Sequence, residues 1–259
     1  MNKIDKKFEC LSKNNESALI VYLTAGYPGI KESIKYIKES SLYADIIEIG
    51  IPFSDPIADG KMIQYASNIA LNNKVSLYKI LEEIAQIEIE TPLVIMTYLN
   101  PVFAFGIEEF FKKISQIGIS GLIVPDLVIE ESGLIKKLAD NYRINLIQLI
   151  APTSNTERIR MIGKMSRGFV YCLSVTGTTG VRKNLPKTLP LFISKVKRIV
   201  KKPVVVGFGI SNSGQVKKLC RVADGVVIGS RIIEAIKNKE DLKVLLMKFK
   251  EATIKNKRR

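Results

Sequence analysis

A carboxylate planted in an apolar run is the first feature of this chain that could do chemistry. In Asp45-Ile-Ile-Glu-Ile-Gly50 successive side chains alternate between the faces of an extended strand. Glu48 therefore shares a face with Ile46 and Gly50, while Ile47 and Ile49 point the other way. An ionised glutamate is costly to bury among isoleucines. The position either faces water on an edge strand or belongs to a site that pairs the carboxylate or raises its pKa. A second carboxylate, Asp59, ends the segment Ile51-Pro-Phe-Ser-Asp-Pro-Ile-Ala-Asp, which is too rich in Pro and Asp for strand or helix. One acid in a strand wall and one on the loop beyond it meet different environments, and carboxylates with separated pKa values can act as acid and base at one pH. Asp45, Asp55 and Asp126 are rivals. Asp45 begins its strand and reads as structural, while Asp55, between Ser54 and Pro56, suits an Asx-turn.

What the chain lacks narrows the chemistry. It has no histidine in 259 residues, which removes a Ser-His-Asp triad, a His-ligated metal and a His general base. Its three cysteines, Cys10, Cys172 and Cys220, are odd in number and widely spaced, a pattern of neither a disulfide framework nor a zinc site. That favours a reducing compartment, here read as cytoplasmic. No apolar run approaches the roughly 20 residues of a membrane span. No strand candidate carries an interior lysine and Lys61 follows a loop, so Schiff-base chemistry is disfavoured. The net charge of +15 reads as a lysine-rich surface, since basic residues are spread over helical stretches without interleaved aromatics. Such a field also suits an anionic small molecule, and nucleic-acid binding is not expected.

The acids need a scaffold. Apolar runs at Ala18–Thr24, Asp45–Gly50, Pro92–Thr97, Gly121–Val124, Asn145–Ile150, Gly168–Leu173, Pro203–Gly207 and Asp224–Ile228 predict eight strands. Amphipathic segments alternate with them, a further helix closes the chain at Leu242–Ile254, and Asn2–Leu11 predicts one before the first strand. Strand–helix repetition implies parallel strands. Eight units in this length fit an α/β fold, a single-domain (β/α)8 TIM barrel over residues 1–259 with a basic, frayed tail at 250–259. A doubly wound open sheet is the alternative, but no Gly-x-Gly-x-x-Gly follows the first strand.

In such a barrel the site lies in the loops after the strands. Gly207-Phe208-Gly209 ends strand 7, and Gly229-Ser230 ends strand 8 and opens a short helix, Arg231–Ile236. Glycines let backbone N–H groups approach an anion, and a helix N-terminus is positive, so these two ends together predict a phosphate grip. Thr179 and Gly180, in the loop after strand 6, could close over the same substrate. Tyr171 shares inward parity with Phe169 and Leu173; it either hydrogen-bonds a carboxylate or simply packs the core.

From Phe8 to Phe249 the chain resembles the tryptophan synthase alpha chain family. The most specific piece is Glu48-Ile-Gly-Ile-Pro-Phe-Ser-Asp-Pro-Ile-Ala-Asp-Gly60. Thr24-Ala-Gly-Tyr-Pro, Tyr98-Leu-Asn-Pro-Val-Phe, Pro125-Asp126, Gly207-Phe-Gly-Ile and Ile228-Gly-Ser support it. The resemblance implies a lyase of tryptophan biosynthesis that cleaves indole-3-glycerol phosphate to indole and glyceraldehyde 3-phosphate by a retro-aldol reaction, with no metal or cofactor in this chain. It implies that Glu48 is the acid/base, that Asp59 holds the indole N–H, and that Tyr171 orients Glu48. Gly180, Gly207, Gly209 and Ser230 would bind phosphate, Thr179 would move with the closing loop to meet Asp59, and Tyr22, Ile150 and Phe208 would line the indole slot. It also implies a beta-chain partner in an alpha2-beta2 tetramer, met near Pro52, Asp55 and Asn100, which carries the pyridoxal phosphate and takes up the indole. Two departures stand out: Tyr22, where an apolar aromatic is also common, and a basic charge in a family that is often acidic. A stand-alone lyase releasing indole, a phosphate-sugar isomerase and a non-catalytic activator of the beta chain are the other readings.

Overall fold

The computed structural model describes residues 1–173, 186–207 and 209–255. Eight parallel strands close on themselves in sequence order: β1 (Ala18–Thr24), β2 (Ile46–Gly50), β3 (Leu93–Met96), β4 (Gly121–Ile123), β5 (Asn145–Ile150), β6 (Val170–Leu173), β7 (Val204–Gly207) and β8 (Gly225–Ile228), which pairs back to β1. The helices between strands are α2 (Ile30–Ser41), α3 (Lys61–Asn72), α4 (Leu77–Ala85), α5 (Leu99–Phe105), α6 (Ile107–Gln116), α7 (Gly133–Asn141), α8 (Thr156–Met165), α9 (Leu189–Ile199) and α10 (Ser213–Leu219). Helix α1 (Lys3–Lys13) precedes the barrel, and α11 (Ser230–Lys237) and α12 (Leu242–Ala252) follow β8.

Strand parity divides the core in two. Alternate residues such as Val21, Ile47, Ile49, Ile95 and Val206 pack outward against the helices. The others, including Ile20, Ile46, Val94, Ile147, Phe169 and Val205, fill the barrel interior. Helix α1 closes the bottom of that interior: Ile4, Phe8 and Leu11 join the inner cluster, and Phe8 meets Phe169 with ring centroids 5.6 Å apart. The Asn2 side chain starts this helix by accepting the Ile4 N–H at 2.9 Å. Asp45 belongs to the frame, as its place in the sequence suggests. It is buried, accepts the Leu19 N–H at 2.8 Å and receives the Lys250 ammonium at 2.8 Å.

Two expectations change, and one short helix is added. Residues 250–255 are not a frayed tail: Lys250 is also paired with Glu16, Thr253 is fully buried, and Ile254 bridges to Glu16. The segment after β3 is the short helix α5. Its Pro101 falls in the first turn, where a missing N–H costs nothing. The basic charge is also unevenly placed. Residues 186–255 hold sixteen Lys and Arg against five Asp and Glu, whereas residues 1–173 hold nineteen against twenty. The excess gathers on α9 to α12, around β7 and β8.

Candidate active site

Strand β2 delivers Glu48 to the barrel mouth. Its register partner on β1 is Tyr22 and on β3 is Val94, and all three point inward. Glu48 is 2 % exposed and its Oε2 has no hydrogen-bond partner, so it is not an edge-strand residue facing water. Burial first, and the neighbouring Asp59 charge second, push its carboxyl up to about 8. Asp59 closes the loop after β2, held by the Gln64 side chain, which donates to its backbone carbonyl at 2.8 Å. It is 4 % exposed with Oδ1 unpartnered. Burial raises its carboxyl to about 6, and a hydrogen bond from the Tyr98 hydroxyl limits the rise. The two acids thus differ across neutrality: near pH 7 Asp59 is mostly ionised and Glu48 mostly protonated.

Around them lies a cavity that opens at the barrel mouth. One wall is apolar, built from Met96, Ile123, Leu149 and Ile63, a lining suited to a flat aromatic ring. Opposite stand Gly209, Gly229 and Ser230. Gly209 has φ +82°, a conformation that favours glycine, and Ser230 is the first residue of α11, whose N-terminal end faces the cavity. Tyr22 and Tyr171 also line it. Each tyrosine uses a glycine: a methyl on Gly50 would overlap the Tyr22 hydroxyl, and one on Gly207 would overlap the Tyr171 hydroxyl. Thr24 Oγ1 donates to the Tyr22 hydroxyl at 3.4 Å. Among the described residues, no cluster of three or more His, Cys, Asp or Glu is placed to hold a metal ion.

The sequence profile of the family described as "Tryptophan synthase alpha chain" matches residues 8–258. The chain belongs to the tryptophan synthase alpha chain family. A tryptophan synthase alpha chain from Caldicellulosiruptor bescii is 42% identical over 253 residues, covering 97% of this chain and 98% of that protein. The alpha chain from Caldicellulosiruptor saccharolyticus is 44% identical over 243 residues, 93% of this chain and 96% of its own length. Among solved structures, tryptophan synthase from Mycobacterium tuberculosis superposes with a TM-score of 0.92 at 33% identity, covering 98% of this chain and 99% of that one. The alpha subunit from Legionella pneumophila gives 0.88 at 31% identity, with 98% of both chains covered.

Within this family frame the structure brings together Glu48, Asp59, Tyr171, Tyr22, Gly209, Gly229 and Ser230 around one cavity. Two expected members stand elsewhere. Ile150 is fully buried in the helix-facing core, and its neighbour Leu149 lines the cavity instead. Each face of β5 carries two apolar residues and one polar one, and the pleat places Asn145, Ile147 and Leu149 inward. Gly207 makes room for Tyr171 and does not itself line the cavity. Thr179, Gly180 and Phe208 lie outside the described residues. Of the rival acids, Asp55 is exposed and accepts from Ser54 Oγ at 2.5 Å, and Asp126 accepts a backbone N–H. Lys61 is exposed at the start of α3. Tyr98 is the residue that sequence reasoning missed. It lies in a motif of the family, but its contact with Asp59 spans 39 positions and is made only by the fold.

Proposed function

We propose that this chain is the alpha subunit of a tryptophan synthase and that its cavity cleaves indole-3-glycerol phosphate to indole and glyceraldehyde 3-phosphate. The observation that carries the reading is the pair of buried acids, each with an unpartnered oxygen, lying between an apolar slot and the Gly209 and Gly229-Ser230 loops. The indole ring occupies the slot between Met96, Ile123 and Leu149, and the phosphate takes the Gly-Ser end, where backbone N–H groups and the α11 N-terminus favour an anion.

Proton bookkeeping then follows from the two acidities. Glu48 enters protonated and delivers its proton to indole C3, making an indolenine whose nitrogen bears positive charge. Ionised Asp59 accepts the N–H hydrogen bond and stabilises that charge. The glycerol hydroxyl next to the ring then loses its proton to Glu48 as the C–C bond breaks; the bonding pair returns to the indole ring and the hydroxyl carbon becomes the aldehyde. The Glu48 proton is restored and no oxidant is needed. Tyr171, whose surroundings include the Glu48 charge, helps to hold that carboxyl in place.

The partner is a beta chain that consumes indole and carries the pyridoxal phosphate, met on the side of the mouth where Asp55 and Asn100 are exposed beside Ile57 and Phe103; Pro52, also expected there, is buried. No described helix is long and apolar enough to cross a membrane, and we assign the pair to the cytoplasm. The test is indole release from indole-3-glycerol phosphate, with and without a beta chain. The wild-type chain should form indole, faster with the partner, and Glu48→Gln should form essentially none while still binding glycerol phosphate. A wild-type chain that makes no indole under either condition would sink the reading.

A further inference from the structure

Asp126 stands at the barrel mouth just after β4, yet it takes no part in the proton transfers above. Both of its oxygens lie 3.1 Å from the Leu99 N–H. Leu99 opens α5, and the residue at the N-cap position, Tyr98, has no side-chain cap of its own to offer. A carboxylate 27 positions further along the chain therefore fixes where the helix begins. The consequence falls on Tyr98. Its ring stacks on Phe53 at 5.2 Å with an interplanar angle of 29°. Its hydroxyl accepts the Ala58 N–H at 3.0 Å and donates to the Asp59 carboxylate.

We propose that Asp126 is a positioning residue for the cleavage reaction: by anchoring the start of α5 it fixes the Tyr98 hydroxyl, and through that hydroxyl it aims Asp59 into the cavity. This rests on the lyase reading above. The Asp59 side chain is otherwise free to turn about its χ angles, because Oδ1 has no partner and Gln64 holds only the backbone. Small displacements of a reacting group cost rate steeply, by up to about a hundredfold for roughly 1 Å. The charged and titratable groups that face Asp59 are Tyr98 from the N-cap of α5, Glu48 from β2, Tyr22 from β1 and Tyr171 from β6. Of these, Tyr98 is the one whose hydrogen bond holds the Asp59 carboxyl down.

The experiment compares wild type, D126A, D126N and Y98F in the full-length chain, reading indole release across pH and thermal melting for each. D126A should lower kcat about tenfold or more with little change in KM, and should move the acidic limb of the pH profile upward, because Asp59 loses the donor that favours its ionised form. Y98F should move the same limb the same way. The double variant D126A/Y98F should be little worse than Y98F alone, as expected for two links of one chain. D126N keeps an acceptor for Leu99 without the charge and should recover to within about threefold of wild type. Should D126A not fold, D126S replaces it, its side chain being too short to reach the Leu99 N–H. An unmoved acidic limb in the cap-deleting variant, a D126N as poor as D126A, or additive losses in the double variant would each overturn the inference. Absence of indole from the wild type would instead overturn the lyase reading on which it rests.

Discussion

Glu48 and Asp59 illustrate how one short segment supplies two acidities. Glu48 is walled in by the barrel, and Asp59 keeps a phenol donor, so the two carboxyls lie near 8 and near 6. Cleavage that needs the first protonated and the second ionised should follow a bell-shaped pH profile with apparent midpoints close to those values, belonging to the pair as a unit. A profile flat from pH 5 to about 9 would show that neither carboxyl gates the reaction. The same burial has a cost in stability, and its sign is fixed. In the unfolded chain Glu48 ionises near its ordinary 4.5, but in the folded chain only near 8. Between those limits the unfolded state has released a proton that the native state retains, so stability falls as pH rises through that window and is level on either side. Glu48→Gln removes the penalty. It should raise Tm by several degrees at pH 9, on the order of a few kcal/mol, and leave Tm unchanged near pH 4, as differential scanning calorimetry would show.

At the scale of elements, the barrel was largely legible because each strand is an apolar run bounded by turn residues. β1 and β5 match their expected limits, and the remaining strands begin or end within two residues of them. That Glu48 shares a face with Ile46 and Gly50 was also legible from the alternation, but isoleucines on both faces left open which face is inward. The place of Ile150 was not legible, since both faces of β5 are largely buried, each with two apolar residues and one polar one, and the pattern does not say which one meets the substrate. α5 escaped notice for another reason: seven residues are too few for a helical period, and its cap comes from Asp126, far along the chain. α1 was expected as a helix, but its task as a plug was not. Phe8, 6 % exposed against Phe169, should cost about 3–5 kcal/mol when replaced by Ala. Its distance from the mouth predicts unchanged kcat per folded molecule. Urea titration and active-site counting on Phe8→Ala would measure both, and a wild-type midpoint would show that α1 does not close the barrel.

At the scale of the whole molecule, the sequence total of +15 suggested an evenly basic surface, but the fold gathers the excess on the helices around β7 and β8. The ends of those strands form the Gly-Ser side of the cavity, although Lys197, Lys201, Lys202 and Lys255 sit at the other end of the barrel, beside Phe8 and Leu11 of α1. Long-range attraction should therefore assist capture of an anionic substrate. Raising ionic strength from about 0.01 M to about 0.15 M shortens the Debye length from roughly 30 Å to roughly 8 Å. kcat/KM should fall a few-fold over that range with kcat unchanged, measured in steady-state assays at low substrate. Salt-independent kcat/KM would mean that the asymmetry plays no part in capture. A lopsided charge also does something that an even one cannot. Indole-3-glycerol phosphate carries its charge at one end only, so a one-sided field exerts a torque on it as well as a pull. Such a torque would turn the phosphate toward the β7–β8 side of the molecule before the ring reaches its slot.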